Sequence, residues 1–279
     1  MPFNFEMEQD RNTRLFELFG TSAPVALVMG AGKARIGQAI AQLLGQRGCR
    51  LAVHAHSSLS EAESFCAEAR SQDVQALAVS ADISDEMAVV DMVEKVYDEY
   101  ERIDILVNTA AIWNPLPLEN VRAEDVRKHF EVNVLGTFLC AKHVGEVMIG
   151  QPRGGAIVNF GDWAVARPYE GFAAYFASKG AIETMTRSLA VELTARNEGI
   201  RVNAILPGPV MQPEGTTDAQ LEKVHEGTLG KRSGTGEDIA HATLMLIENP
   251  FINGASLPVD AGRSIFAAND NSWKLEPDQ

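Results

Sequence analysis

One tyrosine stands at a spacing from a lysine that suits proton transfer. Tyr175 precedes Lys179 by four residues in the stretch YFASK, and none of the other three tyrosines has a lysine four residues later. On a helix, residues i and i+4 share a face, so the ammonium can lie beside the phenol. A nearby cation favours the phenolate and lowers a tyrosine pKa from about 10 toward neutrality. The pair therefore predicts a general acid–base.

A glycine turn near the start of the chain predicts a phosphate site. The stretch VALVMGAGKARIGQAIAQLL runs from an apolar strand pattern into helical spacing, with Gly30, Gly32 and Gly37 between them. Glycines there allow close backbone approach, while the helix amides point at a phosphate. Gln38 and Ala39 stand where an ATPase loop needs Lys and Ser/Thr, and the third glycine comes two residues late for G-x-G-x-x-G. A dinucleotide turn is favoured, with a plain strand–helix turn as the alternative.

The end of the next strand pattern bears on which dinucleotide would bind. A site for NAD places an acidic residue about 20 residues after the glycines. In LAVHAHSSLSEA no acid occurs before Glu61, and neutral donors with Lys33 or Arg35 nearby suit an adenosine 2′-phosphate, which favours NADP(H). Alternatively the serines only cap the following helix, since Ser60 and Glu63 resemble a capping box. The residues at this strand end are His54, His56, Ser57 and Ser58.

Apolar runs alternate with helical spacing along most of the chain, which predicts a parallel sheet with helices on both faces. The strand candidates are 25–29, 51–53, 74–79, 103–107, 156–160 and 202–206. Helical spacing links Val89, Val93, Val96 and Tyr100, and again Ile182, Met185, Leu189 and Leu193. We expect one domain over 23–266, after an N-terminal extension over 1–22 and before a polar C-terminal tail over 267–279. Residues 207–236, rich in Pro, Gly and Thr, predict a mobile lid over the substrate.

Composition narrows the function classes. The 279 residues carry 24 Lys and Arg against 38 Asp and Glu, a net charge of −14, which disfavours nucleic acid as a partner. The sequence has no run of about 18 consecutive apolar residues, so we expect no membrane span, and the acidic N-terminus does not resemble a secretory signal. The six histidines have no metal-ligand spacing, and we expect no metal. The three cysteines lack CxxC spacing, which predicts reduced thiols and a cytoplasmic protein; they are Cys49, Cys66 and Cys140.

Eight short motifs together resemble the short-chain dehydrogenase/reductase family. They occur in the family's order and spacing over residues 24–266: MGAGKARIG, ADIS, LVNTAA, VNVLGTF, IVNFGD, YFASK, RVNAILPGPV and GASLPVDAGRS. The resemblance implies a single doubly wound α/β domain of Rossmann type, with a parallel sheet of about seven strands and helices on both faces. It also implies a homo-dimer or homo-tetramer formed through two long helices, at about 123–148 and 173–197, with Phe172 and Phe176 available for that contact.

The resemblance assigns roles position by position. Tyr175 is the catalytic acid–base, and Lys179 holds the ribose hydroxyls and lowers the pKa of Tyr175. Asn133 supports a proton-relay water, or alternatively only a hydrogen bond between helices, and Asp82 contacts the adenine. Thr109 stands where the family has a second asparagine. The predicted cofactor-binding residues are Gly30, Lys33, Arg35, Ile36, Gly37, His54, His56, Ser57, Ser58, Asp82, Ile83, Asn108, Ala110, Ala111, Tyr175, Lys179, Pro207 and Gly208.

One position departs from the family pattern. The family's catalytic serine is expected 13 residues before the tyrosine, and this chain has Asp162 there. A hydroxyl can donate to a carbonyl, whereas an ionised carboxylate only accepts. Asp162 therefore suits a substrate that offers an N–H group, or it remains protonated with a raised pKa and acts beside Tyr175 as a fourth catalytic residue. Alternatively it caps a turn, and Tyr175 alone holds a ketone.

Within the family, Asp162 resembles the pteridine reductase and dihydromonapterin reductase branch. Arg35 replaces the central glycine of the loop, Trp113 follows the Asn-x-Ala motif where that branch stacks an aromatic on the pterin, and HAHSS is similar to its second strand. A flat, amide-rich ring needs an aromatic face, a carboxylate and a guanidinium. We expect a pterin-like substrate at Arg35, Trp113, Asp162 and Tyr175. Alternatively, Trp113 serves only to pack its loop.

The predicted reaction is reduction of a C=N or C=O bond by hydride transfer from NADPH. Two alternatives remain at this stage. One is a reductase or dehydrogenase for a 3-oxoacyl, sugar or steroid ketone or alcohol, which would keep the same residues. The other is a non-catalytic NADP(H) sensor, which would be expected to lose the pair of Tyr175 and Lys179 that this chain retains.

Overall fold

The structure, a computed structural model, describes residues 13–212 and 215–266. Residues 1–12 of the predicted extension, residues 213–214 of the lid and the whole predicted tail over 267–279 lie outside the described residues. The strands are β1 Val25–Met29, β2 Arg50–Ala55, β3 Ala76–Ser80, β4 Ile105–Asn108, β5 Gly155–Phe160, β6 Ile200–Pro207 and β7 Ser256–Val259. The α-helices are α1 Thr13–Phe19, α2 Ile36–Gln46, α3 Leu59–Ser71, α4 Glu86–Tyr100, α5 Ala123–Phe130, α6 Thr137–Ile149, α7 Ala173–Thr194, α8 Asp218–Glu226 and α9 Gly236–Glu248.

The seven strands form one parallel sheet in the order β3-β2-β1-β4-β5-β6-β7. The strand order reverses between β1 and β4, and in open α/β sheets the crevice beyond the carboxyl ends at such a point is the usual ligand site. Met29 is in register with Asn108, and Asn108 with Asn159, so β1, β4 and β5 end at nearly the same level. The predicted doubly wound α/β fold is confirmed.

Two hydrophobic cores lie on opposite faces of the sheet. Side chains alternate along β1, so Ala26 and Val28 belong to one core and Leu27 and Met29 to the other. All five residues of β1 are buried, which explains why its sequence is apolar throughout rather than alternating. Helices α2, α3 and α9 cover the first face, and α4, α6 and α7 cover the second. The predicted apolar spacing of α4 is confirmed as its buried stripe.

A helical run from Ala123–Ile149 crosses the second face. It consists of α5, a π-helical turn over Glu131–Gly136, and α6. By length and composition alone this run could span a membrane, with a mean hydropathy of 1.2 over its most apolar window. Half of that window is buried within the domain, as in the core helices of soluble proteins. The apolar character of the run is therefore explained by its packing against the sheet.

The suggested role of Phe172 and Phe176 in subunit contact is not supported by their surroundings. Phe176 is 8% exposed and lies 5.4 Å from the ring of Tyr175, while Phe172 stacks on Trp113. Both rings pack in a small hydrophobic cluster with Ala164 and Tyr175. The apolar side chains that the long helices expose are others, namely Val126, Phe130, Leu135, Phe138 and Val191.

Candidate active site

An open cleft of about 1160 Å³ follows the carboxyl edge of the sheet. It brings together residues from the turn after β1, the end of β2, the loops after β4 and β5, and the lid. Asn108 and Asn133 are the predicted site residues that do not line it. The predicted residues that do are Gly30, Lys33, Arg35, Ile36, Gly37, His54, His56, Ser57, Ser58, Asp82, Ile83, Ala110, Ala111, Trp113, Asp162, Tyr175, Lys179, Pro207 and Gly208.

Tyr175 and Asp162 form a hydrogen-bonded pair in the cleft. The phenol of Tyr175, in the first turns of α7, donates to Oδ2 of Asp162 at 2.7 Å. The other carboxylate oxygen, Oδ1, accepts from the backbone N–H of Ala164 at 2.8 Å. Asp162 thus caps the short 3₁₀ turn Trp163–Val165 and contacts the acid–base as well. The capping alternative and the catalytic one are both compatible with this geometry.

Burial dominates the protonation of this pair. It raises the pKa of Asp162 above its usual range, and the hydrogen bonds from Ala164 and Tyr175 oppose that shift only in part. Burial also raises the pKa of Tyr175, and the charge of Asp162 raises it further. The sequence predicted that Lys179 would lower the pKa of Tyr175; in the structure the shift is in the opposite direction, because the phenol is desolvated beside a carboxylate. Tyr175 is therefore equipped to hold its proton until it is delivered.

Lys179 lies one helical turn after Tyr175, fully inside the protein. Its ammonium donates to the backbone carbonyl of Phe160 at 2.7 Å, at the end of β5. Burial lowers the pKa of Lys179 to about 8, although Asp162 favours its charged form. The lysine still lines the cleft, so it can reach a bound ligand from this anchored position.

Asn133 lies behind the acid–base rather than in the cleft. Its amide nitrogen donates to the hydroxyl of Ser178 at 2.9 Å and to the carbonyl of Ile112 at 3.1 Å, while its Oδ1 accepts from the N–H of Ile112 at 2.8 Å. Asn133 therefore links the π-helical turn to α7 and to the loop after β4. The bridging role is observed, and the proton-relay role stays a prediction.

Asn108 was predicted to contact the cofactor, and its side chain has a different partner. Its amide donates to Oδ1 of Asn159 on β5 at 2.9 Å, and the amide of Asn159 donates to Thr186 on α7 at 3.1 Å. Asn108 and Asn159 are both buried. They hold the ends of β4 and β5 together beneath the cleft floor, because neighbouring strands in register place the two amides side by side.

The glycine turn, residues 30–37, brings three chain segments into close contact. Gly30 has a φ of +70°, and a Cβ atom there would lie 2.7 Å from the backbone nitrogen of Ala110. A Cβ atom on Gly37 would lie 2.8 Å from the hydroxyl oxygen of Thr109. Thr109 itself donates to the carbonyl of Met29, at the end of β1. The glycines are therefore needed for the approach of this turn to the loop after β4.

His54 forms a hydrogen bond with the first residue of the glycine turn. The N–H of Gly30 donates to Nδ1 of His54 at 3.2 Å, so Nε2 carries the proton and donates to the carbonyl of Ala81 at 3.0 Å. Burial lowers the pKa of His54, which keeps the ring neutral in that tautomer. One side chain thus ties together the ends of β1, β2 and β3.

Comparison with known proteins identifies the architecture around this cleft. Residues 30–264 match the family described as enoyl-(acyl carrier protein) reductase. A 3-oxoacyl-[acyl-carrier-protein] reductase from a Synechocystis strain is 32% identical over 88% of this chain and 98% of its own. The chain belongs to the short-chain dehydrogenase/reductase family. The family resemblance predicted from the motifs is thereby confirmed, and with it an oxidoreductase activity.

Two solved structures superpose on this one over most of its length. A double mutant of a Serratia marcescens short-chain dehydrogenase/reductase is 28% identical, with a TM-score of 0.79 over 86% of this chain and 98% of its own. A blue fluorescent protein from a metagenomic library, in complex with NADPH, is 30% identical, with a TM-score of 0.78 over 86% of this chain and 97% of its own. None of these matches distinguishes a pteridine reductase branch.

In this short-chain dehydrogenase/reductase, Arg35 reaches the lid. Its guanidinium donates to the carbonyl of Met211 at 3.2 Å and connects the glycine turn to residues 207–236 across the cleft. Lys33 is exposed in the same turn. The predicted capping box of Ser60 and Glu63 does not form, because α3 already begins at Leu59. The serine hydroxyl donates to the neighbouring carboxylate of Glu61 instead.

At the ends of β2 and β3, His56 lies near the carboxylate of Asp82. His56 is largely exposed, and its Nε2 lies 3.9 Å from Oδ2 of Asp82. Asp82 accepts hydrogen bonds from the hydroxyl and the backbone N–H of Ser84, which lower the pKa of its carboxyl. Asp82 is thus held ionised at the end of β3, where the family resemblance expects an adenine contact.

Aromatic side chains surround the pair of Tyr175 and Asp162 on the opposite side of the cleft. Trp113 stacks on Phe172 with ring centroids 4.8 Å apart and an angle of 18° between the planes, and it remains 44% exposed. One of its faces is therefore covered, so a flat ligand has only the other. We call this group the aromatic cluster; its rings are Trp113, Trp163, Tyr169, Phe172, Tyr175 and Phe176.

Several residues of the cleft were not singled out from the sequence. Trp163 and Tyr169 could have been found by their distance along the chain from Asp162, but aromatics there are equally expected in a core. Met211 and Arg263 are placed by the lid and by the turn after β7, and no local spacing indicates their contact with the cleft. Further lining residues of this kind include Tyr169, Met211, Gln212, Val224 and Arg263.

Proposed function

We propose that this oxidoreductase uses NADPH to reduce a C=N or C=O bond in a flat substrate that carries N–H groups, a pterin-like compound. The observation that carries the proposal is the hydrogen bond from Tyr175 to Asp162 at the position of the family's serine. A carboxylic acid with a raised pKa, joined to a phenol, can accept from a ring N–H and also return a proton. A serine in that position would only orient a carbonyl.

The residues at the glycine turn fit a dinucleotide with a 2′-phosphate. Gly30 and Gly37 leave no room for a side chain where the backbone must approach a pyrophosphate. His56, Ser57 and Ser58 line the cleft at the end of β2, with no carboxylate at the position that would bind a free ribose hydroxyl. The solved relative bound to NADPH supports the same choice. When bound, NADPH supplies the hydride.

Ser57→Asp is expected to reverse the choice of cofactor. Ser57 is exposed at the end of β2, so the change should be tolerated by the fold. A carboxylate there repels a 2′-phosphate and accepts from a free 2′-hydroxyl, and the ratio of kcat/KM for NADPH over NADH should fall by about 10-fold or more, the size of one charged contact. Steady-state kinetics with both cofactors measures this ratio. Ser57→Asn is the matched control without the charge, and an equal fall in both variants would contradict the 2′-phosphate assignment.

Two residues of this chain supply the proton that the reduction requires. Tyr175 donates to the atom that becomes N–H or O–H, and Asp162 holds the phenol in position and can replace its proton. Lys179 and Asn133 help to hold Tyr175 and its helix in place. Lys179 donates to the carbonyl of Phe160, and Asn133 donates to the hydroxyl of Ser178. The exposed face of Trp113 is available to hold a flat ring in the cleft.

Reduction of a ketone is the second candidate, and one finding favours it. The relative from Synechocystis is a 3-oxoacyl-[acyl-carrier-protein] reductase. In that case Tyr175 alone would bind and protonate the carbonyl oxygen, and Asp162 would serve only to cap the turn before Trp163. A non-catalytic sensor has no such support, since Tyr175, Lys179 and Asn133 are all present, and Asn133 is joined through Ser178 to the backbone of Tyr175.

One assay tests the proposal. NADPH oxidation is followed with dihydropterins, dihydrofolate, 3-oxoacyl esters and simple ketones at equal concentrations. We expect the pterin compounds to have the higher kcat/KM. Higher values for the ketones would replace the pterin-like substrate by the second candidate, and no turnover with any compound would contradict both proposed reductions.

We propose further that the enzyme acts in the cytoplasm as a homo-dimer or homo-tetramer. Its three cysteines are buried free thiols, as suits a reducing compartment. The exposed apolar side chains of α5, α6 and α7, such as Phe130, Phe138 and Val191, favour burial against a second copy.

A further inference from the structure

Arg263 occupies the substrate side of the cleft. It lies in the turn after β7 and lines the cleft. Its guanidinium carbon is 5.2 Å from the ring centroid of Trp163, the residue that directly follows Asp162. Its Nη1 donates to the carbonyl of Val224, in the last turn of α8, at 2.9 Å. The guanidinium is thus held between the aromatic cluster and the lid, next to the proton-delivering pair.

This cation has no counter-charge in the described parts of the chain. No carboxylate there forms an ion pair with Arg263, and the neighbouring charge is another cation, Arg167, whose Nη1 donates to the backbone carbonyl of Arg263 at 3.0 Å. Burial, and then Arg167, lower the pKa of Arg263. A partly buried charge without a counter-charge is costly.

The guanidinium of Arg263 has N–H donors that the described residues leave unused, and it lies close to Gly227. An arginine has five N–H donors, and the bond to Val224 is the one that the described residues give Arg263. Gly227 follows α8 directly, and a Cβ atom at that position would overlap Nη1 of Arg263. A side chain at position 227 would therefore displace the guanidinium from its present place.

Arg263 lies away from the residues that would bind the adenosine end of the cofactor. Ser57 and Ser58 follow β2, whereas Arg263 follows β7 at the far edge of the sheet. The guanidinium itself lies against Trp163, which follows β5, and three strand-to-strand steps separate β2 from β5, roughly 14 Å at about 4.8 Å a step. The adenosine 2′-phosphate is therefore not the partner of Arg263.

We propose that Arg263 binds an anionic substituent of the substrate, a carboxylate or a phosphate, and thereby selects acidic substrates over neutral ones of the same ring or ketone. The proposal rests on the proposed function, in that the substrate is reduced beside Asp162 and Tyr175. Arginine is suited to this task because its planar fork binds both oxygens of such a group. The competing explanation is that Arg263 only caps the last carbonyls of α8 and holds the lid.

Matched substrates decide between these explanations. The pairs are 7,8-dihydrofolate against 6-methyl-7,8-dihydropterin for C=N reduction, and 3-oxobutanoate against its methyl ester for C=O reduction. With Arg263→Gln, kcat/KM should fall by about 10- to 100-fold for the acidic member and by less than about 3-fold for the neutral one, the range of one charged hydrogen bond. Arg263→Lys should lie between, since it keeps the charge and loses the fork.

The control is Lys223→Gln, which removes a charge from the neighbouring position of α8 without touching the cleft lining. It should leave the ratio of acidic to neutral kcat/KM unchanged. If Arg263→Gln lowers both members of a pair by the same factor, or neither, Arg263 is a lid anchor and the proposal is wrong.

A measurement without turnover keeps this inference separate from the proposed function. If the wild-type enzyme reduces no member of either pair, the proposed function fails. The anion site is then judged by thermal unfolding of the NADP⁺-saturated enzyme in phosphate against chloride at equal ionic strength, since a ligand raises the melting temperature of the state that binds it. We expect phosphate to raise it more in wild type than in Arg263→Gln; equal shifts overturn the site.

Discussion

The Tyr175→Phe variant is expected to lose about 10²- to 10⁴-fold in kcat/KM, the contribution of a positioned general acid. The hydroxyl makes one hydrogen bond in the structure, to Asp162, and the phenylalanine ring can occupy the same place among the rings of Phe172, Phe176 and His129. The fold should therefore survive the change. NADPH affinity should change by less than about 3-fold, because the variant removes a proton donor and leaves Lys179 in place.

Cofactor affinity is measured by fluorescence titration with NADPH, and turnover by its oxidation with the substrate that the wild type prefers. Tyr97→Phe is the matched control, because Tyr97 is 46% exposed on α4 and lies outside the cleft lining. It should retain full activity. If Tyr175→Phe keeps turnover within about 10-fold of wild type, Asp162 is the acid instead. The remaining member of the pair would then supply the proton that Tyr175 no longer donates.

The parts of the fold that the sequence predicts are those that local patterning determines. β1 is recognisable because a strand buried on both faces is apolar at each position, and α4 because its stripe repeats every three to four residues. The spacing of Tyr175 and Lys179 likewise predicts that they share a helix face, and both line the cleft. These predictions need no knowledge of which distant segments meet.

The features that the sequence does not predict depend on contacts between distant segments. Arg35 meets the carbonyl of Met211, 176 residues further along the chain, and no spacing rule indicates that pairing. Asn108 turns to Asn159 because β4 and β5 are neighbours in register. The direction of the Tyr175 pKa was predicted wrongly for the same reason, since the lysine was visible in the sequence and the burial was not.

Asp162→Ser is expected to change which substrate the enzyme prefers. The serine restores the family's hydroxyl and removes the acceptor of ring N–H groups, so kcat/KM for dihydropterins should fall by about 10- to 100-fold while that for ketones is retained or rises. Asp162→Asn is the control for charge alone, because its carboxamide oxygen can still accept from the N–H of Ala164. The ratio of the two values of kcat/KM, measured for wild type and both variants, decides the result.

The pH profile gives the same pair a second test. A carboxylic acid is protonated below its pKa, and burial raises that of Asp162, so the doubly protonated pair persists to higher pH than an ordinary carboxyl would allow. As pH rises through that raised pKa, Tyr175 would have to leave a phenolate beside a carboxylate, and reductive kcat/KM should fall. In Asp162→Ser and Asp162→Asn there is no carboxylate, so only the ionisation of Tyr175 limits reductive kcat/KM. The fall of kcat/KM should therefore occur at higher pH in both variants than in wild type.

These two measurements together separate a catalytic Asp162 from a structural one. If Asp162 only caps the turn before Trp163, the asparagine variant keeps that bond and should match wild type in substrate ratio and in pH profile, while the serine variant should differ mainly in thermal stability. If Asp162 shares the proton of Tyr175, the fall of kcat/KM with rising pH moves to higher pH in both variants, whatever their stability. A wild-type profile unchanged in Asp162→Asn would leave Tyr175 as the sole acid and make ketone reduction the better assignment.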